Sequence, residues 1–287
     1  MSLSDRNSWQ QPRPFGVGLL AALAVTALSA LPAGAAPLLS FQPAAGVTEA
    51  VPPLPSPATF PVQLVVDDDA AEGSVGVVGQ AARQFLWFNR FTPGEPVVLE
   101  EVWVLFPANA GVNVGDAVQL AVYEDADGNP ANGATLLSSV AETVQAADGN
   151  TFSVYPLAAP VSFGGSGDLL IGVVPRFIQS GVTPPTNPAA IDTTASQTRS
   201  WIAVWSGDPP DPPVLVPPPD QQISTIDGFL PGNWMIRGFG RRADSVAIPA
   251  LGPAGLALLA TALLLAALVF LRRAQPVRSE AHGPADR

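Results

Sequence analysis

Glu124-Asp125-Ala126-Asp127-Gly128-Asn129-Pro130 sets three hard oxygen donors, Asp125, Asp127 and Asn129, at alternate positions of one tight turn. Ca²⁺ takes about six to eight such oxygens, so the turn could hold that ion. EF-hand spacing is not met, because Pro130 and Leu136 stand where that loop needs Gly and Glu. The spacing therefore favours a polar inter-strand turn that uses Asp, Gly and Asn for their backbone tolerance. Asp67-Asp68-Asp69 with Glu72 forms a second acidic group and reads as a solvated turn. Trp201, Trp205 and Trp234 could stack on sugar rings, yet Trp201 and Trp205 share strand parity, as do Phe85, Trp87 and Phe91, and core packing explains such parity. Glu100 and Glu101 pair two carboxylates, but strand neighbours point to opposite faces and cannot flank one glycosidic bond.

What is missing narrows the chemistry further. The chain has no Cys, and its one histidine, His282, lies near the C-terminus. Ser-His-Asp and Cys-His catalysis, and histidine-ligated metals, are thereby removed from the long middle region. From Ala36 to Pro249 seven arginines face 21 acids, with no lysine, a formal charge of −14. Such a surface repels nucleic-acid phosphates, so no nucleic-acid partner is expected.

The elements that must carry these residues read as strands. Short runs rich in Val, Ile, Phe, Trp and Tyr alternate with Gly, Pro, Asn and Asp clusters from Phe60 onward. Strands are expected at 62–66, 83–91, 97–106, 117–124, 151–155, 168–174, 199–205 and 233–239, with weaker ones at 73–78 and 135–144. Val118, Leu120 and Val122 alternate with Gln119, Ala121 and Tyr123, as a strand with one buried face should. Phe85–Phe88 and Leu169–Val174 are apolar on both faces, which suits central strands covered on both sides. The fold class is all-β, a single β-sandwich of the jelly-roll type. The proline-rich run at 207–220 is expected as a stiff loop protecting a sheet edge.

Two apolar segments flank this region. Arg6 and Arg13, the run from Phe15 to Leu31 and Ala33-Gly34-Ala35 make the tripartite pattern of a signal peptide. Cleavage is expected between Ala35 and Ala36, since a cut one residue later would leave Pro37 at the N-terminus. An uncleaved N-terminal anchor is the alternative. Near the other end, 254–271 would form a helix about 27 Å long at ~1.5 Å per residue, close to the bilayer's apolar thickness. Arg272 and Arg273 follow at once and place the tail inside and the bulk of the chain outside.

Ile248-Pro249-Ala250-Leu251, an apolar helix and Arg272-Arg273 together resemble the IPTL-CTERM sorting signal, similar in layout to PEP-CTERM. Ala250 stands where that family carries Thr. The resemblance implies export in a Gram-negative bacterium, membrane retention, and processing by an exosortase-like enzyme near Ile248–Leu251. A plain anchor that is never cleaved competes with it. Arg199-Ser200-Trp201-Ile202-Ala203 and Gly232-Asn233-Trp234-Met235-Ile236-Arg237 resemble the closing strands of galactose-binding-like jelly rolls on secreted bacterial proteins.

The organisation expected is a signal peptide at 1–35, a proline-rich linker at 36–60, the β-sandwich at 61–242, a linker with the sorting motif at 243–253, the transmembrane helix at 254–271 and a cytoplasmic tail at 272–287. Function is expected to be structural or adhesive and non-enzymatic, at the cell surface or in the matrix. The alternatives are a glycan-binding module on the tryptophans and a carboxylate-only glycoside hydrolase. Expected partners are the membrane, signal peptidase, the exosortase-like enzyme and an extracellular glycan. No cofactor is expected, with Ca²⁺ at Asp125, Asp127 and Asn129 as the one candidate.

Overall fold

The computed structural model describes residues 38–46, 50–78, 83–181, 186–216 and 221–243. Both apolar terminal segments, with Ala33, Ala35, Ala36, Ile248–Leu251, Arg272 and Arg273, lie outside them. No helix among the described residues is long and apolar enough to cross a membrane.

In chain order the strands are β1 (Leu38–Pro43), β2 (Val62–Leu64), β3 (Gly73–Val78), β4 (Leu86–Phe91), β5 (Val97–Leu105), β6 (Ala117–Asp125) and β7 (Thr135–Thr143). There follow β8 (Phe152–Phe163), β9 (Asp168–Val174), β10 (Ala189–Asp192), β11 (Ser200–Trp205), β12 (Gln221–Thr225), β13 (Asn233–Trp234) and β14 (Ile236–Arg242). They form a six-stranded sheet, β12-β11-β4-β9-β6-β7, and two four-stranded sheets, β1-β3-β10-β13 and β2-β14-β5-β8. The result is all-β and sandwich-like. One apolar core joins Trp87, Leu120, Ile171 and Ile202 of the large sheet to Leu99, Val104 and Ile236 of one small sheet and Val75, Ile191 and Trp234 of the other.

Asn233–Phe239 does not run as one strand. β13 and β14 belong to different sheets, and Met235 between them donates its N–H to Ala190 O while its carbonyl accepts from Leu105 N. Asn89 of β4 ties this switch to the facing sheet. Its Nδ2 donates to Trp234 O at 2.7 Å and Ile236 O at 2.9 Å, and its Oδ1 accepts from Ser200 Oγ. Ser200 Oγ in turn accepts from Trp234 N. A fully buried amide with every partner present fixes the seam, since an unmet polar group there would cost far more than its bonds contribute.

Three expectations are corrected. The stretch read as a linker contains β1, which pairs with β3 from Leu38↔Val78 to Pro43↔Gly73. β6 is buried on both faces, because residues 207–216 of the proline-rich run lie across a face of the large sheet. Leu215 packs with Leu86, Phe88, Tyr123 and Leu170, and Tyr123 Oη donates to Pro213 O at 2.7 Å. Arg176 holds the start of this strap by donating to Pro209 O at 2.7 Å and to Pro210 O, and it also donates to Gln119 Oε1 at 2.7 Å. β8 continues past Pro156 to Phe163, which its place at a sheet edge allows, because an edge strand can dispense with a donor.

Candidate functional site

Antiparallel pairing gathers the polar residues at one end of the large sheet. β11 starts, β4 ends, β9 starts and β6 ends on the same rim, so Arg90, Asp168 and Asp125 stand in neighbouring strands, with Arg199 just ahead of β11. Asp125 lies directly opposite Asp168 in the ladder. Thr92 Oγ1 donates to Asp168 Oδ1, Arg199 Nη1 donates to Thr92 Oγ1 at 2.6 Å, and Arg90 Nη1 is 3.5 Å from Asp168 Oδ2. Arg90 also donates to Gly128 O, which pins the Asp125 turn to β4.

The turn winds through successive side-chain caps. Asp127 N donates to Asp125 Oδ1 at 3.3 Å, and Asn129 N to Asp127 Oδ1 at 3.0 Å. Asn132 Nδ2 donates to Asp127 Oδ2 at 2.7 Å. Gly128 takes φ +75°, and a Cβ there would come within 3.1 Å of Asp168 Oδ2, so glycine suits the position on both counts. Asp125 is 2% exposed, and its Oδ2 is buried without a hydrogen-bond partner. Burial, and next the Asp127 carboxyl hydrogen-bonded to it, push the Asp125 carboxyl above the ordinary carboxylate range. The Asn132 amide, followed by the Asn129 N–H, holds Asp127 below that range.

The other acidic group divides in two. Asp67, expected in a solvated turn, is instead buried against Arg237 of β14, whose guanidinium also reaches Asp69. The Arg237 guanidinium carbon lies 4.3 Å from the Phe152 ring centroid. Asp68 and Glu72 meet Asp192 of β10, with one carboxylate oxygen from each within 4.8 Å of the others. Glu72 Oε2 accepts from Thr193 N at 2.6 Å, and the two oxygens of buried Asp192 accept from Thr194 N and Asn233 Nδ2.

The tryptophans do not share an open face. Trp234 is fully buried, with Nε1 donating to Trp201 O, and Trp205 is 8% exposed in the layer beneath the strap. Trp201 is half-buried and stacks on Phe88 with centroids 6.4 Å apart. A ring without exposed surface has no face for a sugar. Glu100 and Glu101, at a bulge in β5, turn to Arg241 and to Trp103 Nε1 respectively.

Between the Asp168 rim and the β2 edge lies an open groove of about 200 Å³, lined by Gln63, Val66, Arg90, Thr92, Gln197 and Arg199 among others. Isolated Arg, Thr and Gln on separate strands give no spacing signal, so the sequence does not mark this groove as a site. The Arg237–Asp67 pair was equally hidden, since 170 positions separate its members. No protein-family model, curated protein or solved structure matches the chain.

Proposed function

We propose that this chain is an exported, membrane-tethered, non-enzymatic surface or matrix protein whose jelly-roll-like sandwich serves a structural or adhesive role. The observation that supports this reading best is the covering of the large sheet on both faces: a core on one side, and the strap held by Arg176 and Tyr123 on the other. With no cysteine, a module outside the cell must be held together by packing and internal hydrogen bonds alone. Five of the seven arginines of the middle region, 90, 176, 237, 241 and 242, bind the protein's own carboxylates, carbonyls or amides. Such contacts hold a shape. The sequence at either end supports the address, with signal peptidase acting at Ala35-Ala36 and the helix 254–271 retaining the product, before any processing near Ile248–Leu251.

The test is fractionation of a Gram-negative host carrying the full chain or its Leu264→Arg/Leu265→Arg variant. Two charges at the helix centre cost roughly 5–7 kcal/mol on insertion scales and release the variant into the soluble exported fraction. Retention of the variant as firmly as the parent contradicts the tether. Turnover of polysaccharides by the purified chain contradicts the non-enzymatic role, and saturable glycan binding without turnover favours the glycan-binding alternative.

A further inference from the structure

We propose that the Asp125 turn is a divalent-cation site selective for Ca²⁺, with Asp125 Oδ2 and the Asp127 carboxylate as its anionic ligands and the Asn129 side-chain oxygen completing the protein's share. Asp125 Oδ2 is buried and no N–H group reaches it, whereas its Oδ1 accepts from Asp127 N; its carboxyl adjoins that of Asp127, so the pair requires either a shared proton or a cation. A buried carboxylate oxygen left unmet is costly, and natural folds rarely retain one without an ion, a water or a proton.

The surroundings leave a negative excess at that atom. Asp168 stands directly across the ladder, and like charges in opposite positions repel. Arg90 and Thr92 both turn to Asp168, which leaves Asp125 without a cation of its own. Asp127 adds a third carboxylate. Its outward position on the turn leaves the solvent side open for waters, which Ca²⁺ accepts readily within its flexible coordination shell. Mg²⁺ demands stricter octahedral geometry and sheds water reluctantly, so a short turn of mixed oxygens disfavours it. At the Asp68, Glu72 and Asp192 group, by contrast, the buried member has both oxygens capped by donors.

The experiment is thermal unfolding of the full chain in detergent, stripped with chelator and then titrated with CaCl₂ or MgCl₂. At Ca²⁺ about 100-fold above its Kd the melting temperature rises by roughly 5–10 °C, and Mg²⁺ gives much less. Asp125→Asn, which removes the charge at nearly constant shape, loses the Ca²⁺ shift. Asp127→Asn loses it too, and this exposed change keeps the test decisive should Asp125→Asn fail to fold. Asp68→Asn retains the full shift. The proposal is overturned if the parent shows no Ca²⁺ shift, which would leave a proton as the means of neutralising Asp125. It is also overturned if the shift survives in Asp127→Asn or disappears in Asp68→Asn.

Discussion

Replacing Arg237 by methionine removes the cation paired with a carboxylate that water does not reach. The Arg237 and Asp67 side chains are both 0% exposed, and Nε of Arg237 lies 3.1 Å from each Asp67 oxygen. Methionine fills much of the same volume against Phe152 but strands Asp67 as an unpaired buried charge, at a cost of about 3–5 kcal/mol. Loss of the guanidinium over Phe152 adds about 1 kcal/mol. Against a total stability of about 5–15 kcal/mol this is a large fraction, and it lowers the melting temperature by roughly 10 °C or more. Adding Asp67→Leu removes the stranded charge, so the double variant recovers most of the loss even though two ionic groups are gone. Urea unfolding of parent, both single variants and the double variant gives the coupling energy. A cost below about 1 kcal/mol for Arg237→Met, or a double variant no more stable than that single one, would refute the buried pair as the tie between the 67–69 loop and β14.

Two further outcomes follow from groups tied inside the sandwich. Asn89→Ala leaves the Trp234 and Ile236 carbonyls and the Ser200 hydroxyl short of partners and costs about 3 kcal/mol, read by urea unfolding, whereas Val114→Ala at an exposed loop position changes little. Burial pushes Tyr155 from its ordinary 10.0 up to about 12 and Tyr123 higher still, so the fold favours both neutral phenols. The stability this confers is fully present below pH 10 and is lost as pH rises from there through about 12. As these are the chain's two tyrosines, tyrosinate absorbance should rise together with loss of the β-type circular dichroism signal. Ordinary titration near pH 10 with the fold intact would contradict their burial.

The strands with strong apolar runs were legible because burial imposes their pattern directly. Leu169–Val174 is apolar on both faces, and the structure indeed covers both. β6 misled for the same reason in reverse: Gln119 and Tyr123 look like solvent positions, yet the strap supplies Gln119 with Asp211 and Tyr123 with the Pro213 carbonyl. β1, β10 and β12 are short or polar and lie beside proline-rich runs, so local composition reads as loop while partners distant in sequence hold them in sheets. At the candidate site, the alternating oxygens of 125, 127 and 129 were visible as a pattern. The isolation of Asp125 Oδ2 was not, because it depends on Asp168 and Arg90 arriving from other strands.

Export of the sandwich shows in the topology of the chain. Protease added to intact spheroplasts expressing the full chain should remove the full-length band and leave a short fragment recognised by an antibody to the tail after Arg273. The chain surviving whole in intact spheroplasts, and being cut only after lysis, would place the sandwich inside the cell and contradict export.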